Sequence, residues 1–191
     1  MKNLILFLGM AFLLSVFNGC ATNQPPGETK EFLATTDSDV KVVEIRDKFY
    51  PDASYLAATP IKKENPLFGP TIMIEPRYYL APQGGFYVLR YFYIGETWGF
   101  FDEMILLIGQ SPYSATPVVE PSREVIYGGQ VMEDVLFRVP TDVFEKILQQ
   151  REIEVRVAGR MKYDYKLESG SIAILRILRE KAQQRDSNYH P

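Results

Sequence analysis

Cysteine and histidine each occur once in the 191 residues, as Cys20 and His190. A single cysteine excludes an internal disulfide and any C-x-x-C redox or metal motif. A single histidine, one position from the last residue, leaves no His-based catalytic triad and no His-rich metal site. Neither sign of charge dominates: 21 Lys and Arg against 24 Asp and Glu give −3, with a sequence pI near 5.3. The basic excess that marks a nucleic-acid binder is therefore lacking, and no nucleic-acid partner is expected. No G-x-S-x-G, P-loop, H-E-x-x-H or G-x-G-x-x-G pattern occurs, and no Asp/Asn-rich loop of EF-hand spacing. Glycine and proline, 13 each, are too few for collagen or low complexity. Aromatic residues, by contrast, are plentiful. Tyr and Phe number 12 each and carry the aromatic share to 13%, which favours sheet-rich structure.

The longest hydrophobic run stands at the start. Lys2 is followed by fourteen uncharged residues, Leu4 to Phe17. That length matches the apolar region of a secretory signal and falls short of the roughly 20 residues a membrane-spanning helix needs. The run ends in Phe17-Asn18-Gly19-Cys20. This segment resembles the lipobox of bacterial lipoproteins, in which a small residue precedes a cysteine that takes a diacylglycerol. Gly19 fits the small-residue position, while Phe17 and Asn18 depart from the usual Leu and Ala or Ser. The resemblance covers residues 1–21. It implies a signal peptide over 1–19, thioether lipidation at Cys20 and acylation of the new N-terminus by a palmitate-type chain. It also implies attachment to a membrane of the cell envelope. Ala21 stands where an Asp would imply retention at the inner membrane, so the implied location is the outer membrane, on its periplasmic face. A lone thiol in an oxidising compartment would otherwise be reactive, and acylation removes it. Removing residues 1–19 leaves 172 residues carrying −4.

Residues 20–39 are polar, with Pro25-Pro26-Gly27 and only Phe32-Leu33 as apolar content, and read as the lipidated cysteine plus a flexible tether. Residues 40–184 suffice for one core and read as a mainly β domain, an antiparallel β-sandwich. A short helix is expected near 141–150, with Thr141 as its N-cap, and a C-terminal helix near 171–184, capped by Ser169-Gly170-Ser171. Residues 185–191 read as a disordered tail.

Expected strands include Val40–Ile45, Thr71–Ile74, Phe86–Ile94, Trp98–Ile108, Val125–Tyr127 and Val131–Val139, with a loop over Gly109–Ser122. Phe86–Ile94 and Trp98–Ile108 are apolar on both faces. They are expected to pair through Gly95-Glu96-Thr97 and to be covered on both sides, the second cover being the C-terminal helix. Trp98, Leu106 and Tyr91 are expected in the core. Ile153, Val155 and Val157 alternate with charges, as do Met161, Tyr163, Tyr165 and Leu167. Equal parity sets Val157 opposite Met161 and Val155 opposite Tyr163, with Glu152 facing Lys166 and Arg156 diagonal to Asp164. The ten basic residues of 145–185 make that stretch net +4, read as a solvated, partly self-paired face.

Carboxylates are the remaining candidates for chemistry. Asp102-Glu103 and Glu133-Asp134 are adjacent in strands, so each pair points to opposite faces and cannot share a proton. A glycosidase-like pair would need Asp102 or Glu103 within about 5–9 Å of a second acid such as Glu133. No catalytic residue, metal ligand, cofactor or binding residue is assigned from the sequence. The expected function is a lipid-anchored envelope protein that acts as a binding or assembly module for another envelope protein. The alternative is a carboxylate-dependent envelope hydrolase.

Overall fold

Side chains alternate between core and surface with a period of two along most of the chain, and that alternation builds two antiparallel sheets. The computed structural model describes residues 28–33, 40–47, 54–64, 69–81 and 84–186. The expected signal peptide over 1–19, Cys20 and Ser187–Pro191 lie outside them. The described strands are β1 (Glu28–Leu33), β2 (Val42–Asp47), β3 (Ser54–Ala58), β4 (Lys62–Glu64), β5 (Thr71–Leu80) and β6 (Phe86–Gly95). Next come β7 (Glu103–Ile108), β8 (Ser111–Ala115), β9 (Ser122–Val125) and β10 (Val131–Val139). Helix α1 (Thr141–Leu148), β11 (Ile153–Ala158), β12 (Lys162–Leu167) and α2 (Ser169–Arg185) complete the order. Sheet A runs β1-β2-β3-β5-β6-β10-β9 with β4 also on β5, and sheet B runs β12-β11-β7-β8. The architecture is the expected antiparallel β-sandwich with two helices.

The core lies between the sheets. From sheet A it takes Ile72, Ile74 and Tyr78 of β5, Tyr87, Leu89, Tyr91 and Tyr93 of β6, and Val131, Val135, Phe137 and Val139 of β10. Sheet B answers with Met104, Leu106, Val155, Val157 and Tyr165. The Tyr91 and Tyr165 hydroxyls meet at 3.1 Å across the layers, and the Phe101 ring packs edge-on against Tyr91 and Tyr93. Burial, followed by Tyr163 beside it, pushes the Tyr93 phenol up to about 12.

Several expectations are corrected. Strands β6 and β7 do not form a hairpin: they lie in different sheets, and residues 96–102 carry the chain from one layer to the other. Each therefore buries one face, and its other face is only partly covered. Helix α2 does not cover that second face. Its buried residues Ile172, Leu175, Leu178 and Ala182 join the single core beside β3 and β5. Helix α1 is the one that reaches β6, where the Phe144 ring stacks on Tyr87 with centroids 3.6 Å apart. The segment read as tether contains β1, paired along its whole length with β2. The loop expected at 109–122 contains β8, and beyond it Pro117 forms an isolated bridge to Phe137 in sheet A.

Pro76 lies inside β5 rather than after a short strand. On one side β4 pairs with residues 72–74 and β3 with residues 77–80, so the proline, which has no N–H to give, falls where the neighbouring strand changes. The α1 N-cap is Pro140 and the α2 N-cap Glu168, and neither end carries a side-chain cap bond. Two residues of the tail expected over 185–191 are corrected: Arg185 completes α2 and Asp186 is buried.

The β11–β12 parity is as expected but the register is shifted: Val157 faces Tyr163 and Val155 faces Tyr165. The turn is Gly159-Arg160-Met161, one residue later than expected. Arg156 thus sits directly opposite Asp164, holding it through two bonds of 2.6 and 2.9 Å, and Lys166 reaches Glu152 diagonally at 2.8 Å. Both ion pairs form with direct and diagonal positions exchanged.

Candidate functional site

Glu133 sits on the core-facing side of β10, in line with Val131, Val135, Phe137 and Val139. A carboxylate on an apolar face needs donors, and it is 0% exposed. The crossing segment 96–102 supplies them. Its backbone N–H groups at Gly99, Phe100 and Phe101 donate to the Glu133 carboxylate at 2.6, 3.0 and 3.2 Å, and Arg123 Nε of β9 donates at 3.2 Å. Wrapping three consecutive amides around one carboxylate bends the backbone sharply. Phe100 adopts φ +50, the only positive φ outside glycine among the described residues. This conformation costs a side-chain-bearing residue about 1–2 kcal/mol. It turns Phe101 into the core and Phe100 outward, where it is 42% exposed.

Neighbouring elements brace the turn. The Tyr93 hydroxyl donates to Thr97 O at 3.0 Å, and the Met161 N–H donates to Gly99 O at 3.2 Å. Gly159 lies so close to the Phe100 carbonyl that any Cβ there would collide with it. The half-buried Trp98 ring packs against Phe100 at 5.9 Å, and the Arg123 guanidinium lies over Phe100 at 5.3 Å.

Strand register places two more connections at this end. Val131 pairs with both Gly95 and Val125, so the turn 126–130 emerges beside 96–102. Ala158 pairs with Glu103, so the turn 159–161 emerges there too. The first of these turns exposes Tyr127 completely, and Val125 at the end of β9 is 69% exposed. Exposed Arg160 and Lys162 face a surround that also carries exposed Glu96, Asp102 and Glu124. Projecting aromatics with mixed charge, slightly acidic in balance, give the end the composition of a protein-binding surface, where Trp, Tyr, Phe and Arg concentrate.

The acids considered for hydrolysis are not brought together. Asp102 is exposed. Glu103 precedes core-facing Met104, points out of sheet B and accepts from Ser114 Oγ at 2.6 Å. Glu133 faces the core from sheet A, and Asp134 faces outward against Arg90. A separate concavity of about 420 Å³ opens on the outer face of sheet B, floored by Ile105, Leu107 and Pro112 and walled by Glu154, Arg156, Asp164 and Lys166. Its wall charges balance, and Arg156 and Asp164 hold each other. Of the aromatics, Tyr78, Tyr87, Tyr91, Tyr93 and Phe101 are core. Trp98, expected in the core, is only partly buried, and Tyr79 and Phe100 face outward. The role of Phe100 was not legible as such, but an acid at an inward position of β10 was a readable signal that some backbone must come to it.

No family model, curated protein or solved structure matches the chain.

Proposed function

We propose that this chain is a lipid-anchored cell-envelope protein acting as a binding or assembly module, tethered through Cys20 and engaging a second envelope protein with the end that carries Trp98, Phe100 and Tyr127. The observation that carries the reading is the outward Phe100. Its unfavourable φ is maintained by a fully buried carboxylate, and strain maintained at the surface by surrounding structure is characteristic of contact sites. The hydrolase reading has less support, because Glu133 spends its lone pairs on four donors and Glu103 lies on the other sheet's outer face.

A photo-reactive residue placed at Phe100 or Tyr127 of the full chain in its own cells tests the reading. Both positions should yield the same discrete adduct, and position 154 should yield none. Equal adducts from all three positions, or none from the first two, would refute it. Cys20→Ser tests the anchor: it should leave an uncleaved precursor or a form absent from membranes. A variant that fractionates with membranes as the parent does removes the lipoprotein reading.

A further inference from the structure

Strand register fixes where the anchored segment joins the domain. Glu28 begins β1 opposite Asp47 at the far end of β2. Following the register across sheet A from that end leads through Arg46 and Ser54 to Leu80, and then through the Tyr55–Tyr79 and Tyr79–Phe86 pairs. The Phe100 loop follows Gly95, nine residues further along β6, roughly 30 Å away. The chain from Cys20 therefore enters at the end opposite the proposed docking end. Seven residues, 21–27, separate Cys20 from Glu28, a reach of at most roughly 28 Å.

The outer face of sheet A carries a cross-strand row at this proximal end. Tyr55 stacks on Tyr79 at 4.9 Å, and Tyr79 on Phe86 at 5.4 Å and 7°. The half-buried rings spend their faces on each other, and the Tyr79 hydroxyl accepts from Arg77 at 3.4 Å. That arrangement does not offer the flat ring a sugar stacks upon. It does match the aromatic belt at a bilayer interface, where Tyr places its ring among acyl chains and its oxygen among headgroups. Guanidinium groups flank the row: Arg77 lies over Tyr55 at 4.5 Å and Arg138 over Phe86 at 4.7 Å. Arg77 and Arg90 share Glu75, and Arg90 also holds Asp134, whereas exposed Arg138 has no carboxylate partner among the described residues. Around the row, Arg77, Arg90 and Arg138 against Glu75 and Asp134 sum to +1. Strands about 4.8 Å apart place Tyr55 roughly 10 Å and Phe86 roughly 19 Å from β1, inside the reach of the anchored segment.

We infer that the row Tyr55–Tyr79–Phe86, with Arg138, rests on the lipid surface to which Cys20 is anchored and so holds the Phe100 end away from the membrane. This inference rests on the lipid-anchor reading. The test uses the full mature chain in phosphatidylethanolamine–phosphatidylglycerol vesicles containing brominated lipid. One protein carries the native Trp98, and a second carries Phe86→Trp with Trp98→Phe. Tyr79→Trp with Trp98→Phe serves as a second reporter should the first fail to fold.

The proximal reporter should be quenched several-fold more than Trp98, and Arg138→Glu should reduce its quenching by about half, since each basic residue near an anionic surface contributes to the attraction. Trp98 quenched as strongly as the reporter, or a reporter unquenched while mass spectrometry shows lipid on Cys20, overturns the inference. If no lipid is found on Cys20, the anchor reading fails by itself. The unlipidated chain on the same vesicles then decides the surface alone: proximal quenching retains it, and none discards it.

Discussion

Glu133→Gln is the most informative single change. The carboxylate accepts from Gly99, Phe100 and Phe101 N–H and from Arg123 Nε. A glutamine fills the same volume, yet only one of its two terminal atoms is an acceptor. Oriented to keep Gly99 and Phe100, its NH₂ group confronts the Phe101 N–H and Arg123, donor against donor. The Phe101 N–H is then buried without an acceptor, at about 1–3 kcal/mol, and the charge-assisted bond to Arg123 is lost as well. The sum is about 3–5 kcal/mol, the range seen when one partner of a buried ion pair is removed. For a domain of this size that corresponds to a fall in Tm of about 10 °C.

Urea unfolding followed at Trp98 reads the change directly, since the only tryptophan sits in the affected segment. Circular dichroism checks that the rest of the sheet unfolds with it. Phe100→Gly is the control. It relieves the positive φ and removes a side chain that is nearly half exposed, so its stability should stay within about 1 kcal/mol of the parent. The proposed partner contact should disappear with it. A loss below about 1 kcal/mol for Glu133→Gln, with Trp98 emission unchanged, would refute the view that this carboxylate shapes the loop.

Leu106→Ala removes a fully buried side chain between the sheets and should cost about 2–5 kcal/mol by chemical denaturation; a change under about 0.5 kcal/mol would place β7 outside the core. Tyr91→Phe removes the bond between two buried hydroxyls and should cost about 1–2 kcal/mol, while adding Tyr165→Phe should cost less than a second such loss, so additive losses would argue that the hydroxyls do not interact. Burial works to raise the Glu44 carboxyl, but bonds from Arg185 and Arg46 outweigh it and hold it below its ordinary 4.5. A depressed folded pKa contributes stability above the ordinary value and loses it as pH falls through the lowered one. The parent's advantage over Glu44→Gln in urea midpoint should therefore shrink on acidification from about pH 7 to about pH 3, and a constant difference would count against the pairing.

Elements whose alternation is clean were legible in the sequence. In β11 and β12 hydrophobic and charged residues alternate, and parity fixed which side chains share a face. Absolute register was not legible, because a three-residue turn beginning at Ala158 or at Gly159 preserves parity, and only the contacts of Gly159 and Met161 with the 99–100 backbone choose between them. Pairing partners were harder still. Two doubly apolar strands joined through Gly95-Glu96-Thr97 look like a hairpin, and nothing local reveals that the chain changes sheets. The double apolarity has a different origin: the outward residues of β6, such as Phe86 and Phe92, are shielded by Arg138, Arg90 and neighbouring rings rather than by a helix. Strand β8 escaped detection because Ser111, Pro112 and Ser114 face water at a sheet edge.

The three acids buried in the described structure share one circumstance. Glu133 stands where the chain crosses from sheet A to sheet B, and Glu44 and Asp186 where α2 closes against sheet A. At such places backbone and side-chain donors leave the regular ladder and must find acceptors without water. Glu133 takes three loop amides and Arg123. Asp186 takes the Tyr78 hydroxyl at 2.7 Å and the Gly85 N–H at 3.0 Å, and Glu44 takes Arg185 and Arg46. Asp186 and Glu44 thereby fasten the last turn of α2 to β2 and β5 near the end where β1 begins. Glu133 fastens the opposite end, where Phe100 projects. Rigidity at both ends of one sheet is what the proposed anchor would need in order to orient the proposed contact surface. A loop that stored the Phe100 strain without Glu133 would relax, and the surface would have no fixed shape to present.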